Sequence, residues 1–468
     1  MKNPSIWWIR RDMRLTDNEA LSAALACGQV IPLFILDERS EALGSAPKWR
    51  LERSLEALQD ALNSKGSKLV LRRGSALNVL RDIVAETGAG EVHWNRLYDP
   101  RSRRIDSEVK STLRSEGLKA QSHTGHLLVE PMQVRTQTGD FYKVFTPFWR
   151  NIQTQDVAAP KPEPKDIGGP AEWPHSECLK DWSLSISMQR GAKILSQYSA
   201  VGEASAWSKL SRFLEERASR YSEARDLIAE HGTSDLSDNL AFGEISARSI
   251  WHMGQKAFAS GAEGLEPFLR QVGWRDFAQH LMYHTPHIVD KNWRDGWDDF
   301  PWSEVENTPE VEAWKYGRTG IDFVDAAMRE LWVTGKMHNR ARMVAASYLT
   351  KNLLVHWRIG ERWFADQLID YDQANNTMGW QWVAGSGPDA SPYFRIFNPD
   401  TQIKKFDPQG RYFKRWVAEG QIQPPKTALD FFEAIPKRLD MSAKDLRPHA
   451  IVGLKEGRER ALAAYSKK

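Results

Sequence analysis

Between Thr334 and Pro399 the chain gathers residue types that neither a core nor a solvated face would collect together. Asn339, Arg340 and Arg342 fall in GKMHNRARM, Asp370 and Asp372 in DYDQ, and Asn375 and Asn376 stand just before Trp380–Gln381–Trp382. Arg395 follows in DASPYFRIFNP. A core would keep the tryptophans without the charges, because an unpaired buried charge costs several kcal/mol. A solvated face would keep the charges without the tryptophans. Carboxylates, amides and guanidinium groups among indoles suit a large, flat heteroaromatic ligand with polar edges, so the segment is read as a cofactor pocket. Asn339 and Arg342 are three apart and share a helix face, with Met343 beside them. An ion pair from Arg342 to Asp370 would pin two helices. The same pair laid against a flat ring would supply positive potential, which a low local dielectric strengthens.

Other stretches could add to that pocket. GTSDLSDNL, residues 232–240, packs Thr233, Ser234, Ser237 and Asp238 into one turn. Alone it reads as a helix N-cap. Beside a cofactor pocket, the same hydroxyls and amides are read as a pyrophosphate site at a helix start. Trp274, in QVGWRDF, and Trp382 both neighbour polar motifs. KKFDPQGRYFKR, residues 404–415, sets five basic residues against one acid. That run is either a solvated surface or an edge for a phosphate backbone, and the second reading is slightly preferred.

These residues need elements to hold them. Up to about Pro131, the runs IWWI (6–9), VIPLFIL (30–36), LVLRR (69–73) and VHWNRLY (92–98) read as buried strands. WRLERSLEALQDAL and LNVLRDIVAE between them carry apolar residues at helical spacing. The alternation predicts βαβ units in a doubly wound, Rossmann-like parallel sheet, residues 1–131. No GxGxxG follows the first strand, so a ligand would sit elsewhere along the strand ends. Residues 132–200 read as an interdomain linker, with AAPKPEPKDIGGPAEWP having little to bury. From 201 to 468 the pattern is persistently helical, including WSKLSRFLEERASRYSEARDLI and NRARMVAASYLTKNLL. The expected fold is α/β followed by an all-α domain.

Composition sets the outer bounds. A chain of 468 residues exceeds one hydrophobic core. A net charge of +3 does not by itself prove a nucleic-acid partner. Two cysteines, Cys27 and Cys178, exclude a disulfide scaffold and any four-cysteine metal centre. The absence of a leader pattern and of a long apolar segment predicts a cytoplasmic protein without a membrane partner. The unusual feature is 20 Trp against 11 Tyr. Bulky packing is the ordinary explanation, and redox relays or base stacking the rarer ones.

NRARM, ANNTMGWQW and DASPYFRIFNP resemble the flavin-binding region of the DNA photolyase/cryptochrome family. WWIRRDMRLTDNEAL resembles that family's opening strand, and GTSDLSDNLAFGEIS and QVGWRDF fall between in the family's order. The resemblance covers nearly the whole chain. It implies FAD as cofactor and UV-damaged DNA as partner. The reaction it implies is light-driven splitting of cyclobutane pyrimidine dimers by an electron from photoexcited reduced FAD, a carbon–carbon lyase activity. A blue-light photoreceptor with the same flavin site is the second reading, and the lack of a long carboxyl-terminal extension favours repair. A monomer is expected. A second, antenna chromophore is also implied, either methenyltetrahydrofolate or an 8-hydroxy-deazaflavin, although YDPRSRRID lacks the Asn–Glu pair of some folate-binding members.

The resemblance also distributes roles. It places Tyr221, Thr233, Ser234, Leu236, Ser237 and Arg275 with Asn339, Arg342, Asp370, Asp372 and Asn376 around FAD, Asn376 near the ring's N5. Arg225, Gln271, Trp274, Asn339, Arg340, Met343, Trp382 and Arg395 fall to lesion and DNA, the two tryptophans as walls against flipped-out bases. Trp380, Trp357 and Trp302 take the electron-relay positions. No metal is implied. Three departures stand out: Gln271 where many dimer photolyases carry Glu, Lys336 where Trp is frequent, and Asp235 where a basic residue is frequent. His338 is followed four residues later by Arg342, so the second histidine of a (6-4) photoproduct site is absent.

Overall fold

The computed structural model describes residues 3–188, 191–262, 264–389 and 394–468. Residues 390–393, inside DASPYFRIFNP, lie outside the described residues. Packing divides the chain into two compact units. One comprises Met1–Ser187, Ala200–Ser219 and Ser234–Pro286, the other Met188–Ser199, Arg220–Thr233 and His287–Lys468. The boundaries at 131 and 200 rest on composition and remain a proposal.

The first unit holds a parallel sheet in the order β3-β2-β1-β4-β5. Its strands are β1 Ser5–Ile9, β2 Val30–Leu36, β3 Val70–Arg73, β4 Glu91–Asn95 and β5 Lys119–His123. β1 and β2 are buried at every position because both faces are covered. Trp7, Ile9, Phe34 and Leu36 pack with Leu51, Leu55, Leu58 and Leu62 of the helix Ser45–Ser64 on one face. Ile6, Trp8, Ile31, Leu33 and Ile35 pack with Leu80, Ile83, Val109 and Leu113 on the other. The period of two therefore divides each apolar run between two cores.

Sequence reading missed β5 because KAQSH is a short edge strand whose positions alternate between exposed and buried, with no apolar run to mark it. The strand expected over 92–98 ends at Asn95. The Pro/Gly-rich segment is also less idle than its composition suggests. Ile167 is fully buried in the first core, Gly168 O accepts the Val30 amide at 2.8 Å, and Glu177 N donates to Leu71 O at 2.9 Å. Residues 167–177 thus hydrogen-bond to the sheet at the start of β2 and along β3.

The second unit is helical among its described residues, apart from an isolated bridge between Ser303 and Val355. Asp322–Thr334, Asn339–Ser347, Trp357–Gln367 and Gln373–Ala384 surround a core that includes Trp314, Val344, Trp357 and Trp380. Two helical readings need correcting. WSKLSRFLEERASRYSEARDLI is broken, its α-helix running Glu203–Glu216 within the first unit and a short helical turn at Tyr221–Ala224 belonging to the second. NRARMVAASYLTKNLL changes at Tyr348–Asn352 into a buried π-helical turn, which bulges where the next chain segment must turn away.

Candidate functional site

In the second unit, the helix Asn339–Ser347 begins at His338, whose Nδ1 accepts the Arg340 amide at 3.1 Å. His338 Nε2 lies 3.0 Å from Arg225 O, so the Nε2 proton is donated there and the imidazole is neutral. Burial pushes its pKa down to about 4, consistent with a neutral ring. The helix then presents Asn339 and Met343 together, Nδ2 to Sδ at 3.8 Å. Arg342 donates from Nε to Met337 O at 2.8 Å and from Nη2 to Asp370 Oδ2 at 2.6 Å. The ion pair expected from sequence is present, with the Asp370 side chain only 3% exposed. Asp370 Oδ1 is buried and receives no hydrogen bond. A buried carboxylate oxygen without a donor is costly. It fits a ligand that brings an N–H to this point, as the imide edge of a flavin does.

Asp372 caps the helix Gln373–Ala384, accepting from Asn375 N at 2.9 Å and Asn375 Nδ2 at 2.8 Å. Asn376 turns its amide to Glu361, Nδ2 lying 3.1 Å from the Glu361 carbonyl and 3.0 Å from its Oε1. Glu361 escaped sequence reading because a Glu in ERWFADQ looks like solvated helix. Burial lifts its pKa to about 7, against the help of Asn376. A carboxyl raised in this way keeps its proton in the folded state after the unfolded chain has lost it. Its contribution to stability therefore declines as pH rises from about 4.5 through 7.

Trp380 is buried on the same helix, edge-on to Phe364 at 4.9 Å and to Trp314 at 6.0 Å. Its indole lies against the backbone of Gly360, where a Cβ would come within 2.0 Å of the ring. That glycine, inside the helix Trp357–Gln367, lets the two helices approach; a glycine within a helical pattern was the available signal. Trp357 is fully buried, its Nε1 donating to Asn292 Oδ1 at 2.8 Å. Trp302 donates to Thr350 O at 2.9 Å. His356 stands between them, 5.3 Å from the Trp302 ring and 5.5 Å from Trp357. Trp382 is half-buried, its Nε1 held by Asp389 O at 2.9 Å.

The basic residues differ in how they are held. Arg340 pairs with Asp226 at 2.9 Å and lies 4.5 Å over Phe406. Arg225 covers the buried Tyr221 ring at 5.4 Å, and Arg395 is exposed. Of KKFDPQGRYFKR, Arg411 reaches Glu230 at 3.2 Å and Arg415 the Ala229 carbonyl at 3.0 Å. Thr233 is half-buried in this unit.

Ser234, Leu236 and Ser237 belong to the first unit. The helix Ser237–Phe242 has Leu236 in the capping position, and no side chain caps it there. Lys209 reaches Asp235 at 3.8 Å and Asp238 at 3.4 Å, so a lysine distant in sequence offsets the acidic departure at 235. On the helix Leu265–His284, Gln271 turns back on itself, Nε2 donating to Pro267 O at 3.0 Å. Trp274 stacks on Phe145 with centroids 3.6 Å apart, a backing residue that sequence reading did not identify. Arg275 is buried, donating to His126 O at 2.8 Å. At the carboxyl ends of β1 and β2 lies a small niche of about 20 Å³ lined by Arg10, Phe34, Asp37, Arg39 and Phe242.

Residues 5–165 match the family described as DNA photolyase, and residues 268–467 match the FAD binding domain of DNA photolyase. A deoxyribodipyrimidine photo-lyase of Agrobacterium fabrum is 44% identical, the match spanning 99% of this chain and 98% of the relative. Cryptochrome-1 of Arabidopsis thaliana is 34% identical over 99% of this chain and 70% of its own length. The crystal structure of a bacterial class III photolyase from Agrobacterium tumefaciens superposes with a TM-score of 0.92 at 43% identity, covering 100% of this chain and 98% of the other.

Proposed function

The chain belongs to the DNA photolyase family, and from that premise we propose that it is a deoxyribodipyrimidine photo-lyase that uses FAD to split cyclobutane pyrimidine dimers in DNA under light. The observation that carries the reading is the Arg342–Asp370 pair with a buried carboxylate oxygen left over. Arg342, Asp370, Asp372 and Asn376 would hold the flavin ring. The chemistry that FAD supplies when bound is one-electron donation to the dimer in light, the electron being recovered once the two ring C–C bonds have opened. The arginine pair orients the ring and sets a positive field beside it. Asn376, with its Nδ2 given to Glu361, would offer its Oδ1 as an uncharged acceptor to a protonated ring nitrogen.

Tyr221, Thr233, Ser234, Leu236, Ser237 and Arg275 are proposed from the resemblance as further FAD contacts. Trp274, Asn339, Met343 and Trp382 are proposed as lesion contacts, and Arg225, Arg340 and Arg395 as phosphate contacts. No described helix is long and apolar enough to cross a membrane. A cytoplasmic monomer is the finer part of the proposal, with gel-filtration mass as its check. A second chromophore, folate or deazaflavin, is checked by mass spectrometry of what the native protein releases.

The deciding experiment illuminates reduced holoprotein with a dimer-containing oligonucleotide and counts restored thymines. Splitting in light and none in darkness is expected. No splitting with FAD bound and reduced would move the reading to a photoreceptor.

Binding separates two further roles. Trp382→Ala should lose about 1–3 kcal/mol of lesion affinity, the value of one aromatic stack. Arg395→Ala should weaken damaged and undamaged DNA alike and flatten the salt dependence by roughly one unit. Equal losses with equal salt slopes would end the division into base reader and phosphate clamp.

Gln271→Glu tests the departure from the common pattern. The native amide already spends a donor on Pro267 O. A Glu that takes up a proton beside the lesion could, as a carboxylic acid, donate to the charged thymine oxygens that form after electron transfer, which the amide cannot protonate. The quantum yield of splitting should rise while affinity changes by less than about 1 kcal/mol. An unchanged yield would show that Gln271 is fully adapted to its site.

A further inference from the structure

The first unit carries a polar cluster that neither flavin nor DNA chemistry uses. Glu91 and His93 are two apart on β4 and so share a face of the sheet. The register pairs Glu91 with Lys119 and Asn95 with His123, which brings both β5 residues to that face. The helix Glu19–Cys27 packs on β4 and ends at Cys27. Cys27 Sγ lies 3.1 Å from Glu91 Oε2, and His93 Nε2 lies 3.0 Å from the same oxygen. A thiol, a carboxylate and an imidazole thus have their ligating atoms all within 4.8 Å of one another. We infer that Cys27, Glu91 and His93 form a binding site for a divalent transition metal of the zinc class.

The donor set is the argument. Sulfur, nitrogen and oxygen ligands in a group of three suit Zn²⁺ with a fourth, water-filled position. His93 is 1% exposed, and its second ring nitrogen, Nδ1, lies 3.0 Å from His123 Nε2. With a metal on Nε2, the His93 proton sits on Nδ1 and is donated to His123. That is the outer-sphere partner which fixes tautomer and ring orientation in metal sites. Binding releases the Cys27 thiol proton to solvent, and the ionised thiol and Glu91 carboxylate together balance the dication. Lys119 Nζ stands 2.8 Å from Glu91 Oε2. It neutralises that carboxylate without a metal and opposes a metal that binds. The competing account is a hydrogen-bonded cluster closed by this ion pair.

The test titrates Zn²⁺ into metal-free full-length protein against a chromophoric chelator, with metal content and the zinc X-ray absorption edge measured alongside. Stoichiometric binding with one sulfur at about 2.3 Å is expected. Cys27→Ser should remove the sulfur signal. His123→Ala should weaken affinity by roughly 10–100-fold while keeping the sulfur ligand. Lys119→Met should tighten binding. No stoichiometric zinc in the native chain overturns the inference. So does zinc binding that Cys27→Ser and His123→Ala both leave unchanged, and these replacements, at half-buried positions, keep the test open should His93→Ala fail to fold.

Discussion

Asp370→Ala combined with Asn376→Ala is expected to yield a folded protein that purifies nearly free of flavin. Asp370 makes a charged hydrogen bond to Arg342 at 2.6 Å and keeps its other oxygen buried without a donor. Charged hydrogen bonds contribute about 1.5–3 kcal/mol each, and neutral ones about 1 kcal/mol. If both act on the ring, the double variant should lose about 2.5–4 kcal/mol, which is roughly two to three orders of magnitude in Kd. The fold should survive. Arg342, left without its partner, has a side chain 28% exposed and can turn to water instead of remaining as a stranded buried charge. Glu361 loses the Asn376 donor and is pushed further above its raised value, so it stays protonated and neutral near pH 7. The measurement is the ratio of flavin to protein absorbance, with far-ultraviolet circular dichroism as the check on folding. A stoichiometric flavin complex of wild-type affinity in that variant would show that the ring binds elsewhere.

How far the sequence could be read follows from which physical signal each feature leaves. β2 was legible to the residue, since VIPLFIL is buried at all seven positions and such burial needs an unbroken apolar run. β5 was not, because an edge strand covered on one side needs only Ala120 and Ser122 inward. The Arg342–Asp370 pair was legible from charge beside aromatics, although 28 residues separate the partners. Its neighbour Glu361 was not, since burial of a carboxyl depends on a helix packed across it and leaves no mark on its own element. Phe145 behind Trp274 and His123 behind His93 share that character. Each supports a residue more than twenty positions away, and only the tertiary fold supplies the pairing. Gly360 lies between the two cases. A glycine in the middle of a helix costs about 1 kcal/mol relative to alanine, so its presence announces a close approach without naming what approaches.

What approaches Gly360 is Trp380, and that contact determines how cleanly its function can be tested. Trp380→Phe is expected to abolish photoreduction of the oxidised holoprotein by external donors while leaving splitting by chemically reduced protein nearly intact. The substitution isolates redox chemistry from packing. Trp380 Nε1 is buried with no hydrogen-bond partner, so Phe breaks no buried hydrogen bond. Phe retains the edge-on contact with Phe364, and the lost ring volume should cost about 1–2 kcal/mol in stability. The indole matters for a different reason: it gives up an electron far more readily than a phenyl ring. For one-electron transfer each 59 mV is about a factor of ten, so a deficit of several hundred millivolts closes the path. In the proposed relay, the buried Trp357 and Trp302, each within 5.5 Å of His356, would then have no oxidisable ring at residue 380 to pass an electron to. The reading is the rate of flavin bleaching under blue light with a thiol donor, set against the splitting yield after dithionite reduction. Bleaching at the wild-type rate would return Trp380 to a packing role. Loss of both signals would mean that the ring's place in the core, and not its oxidation, is what the protein uses.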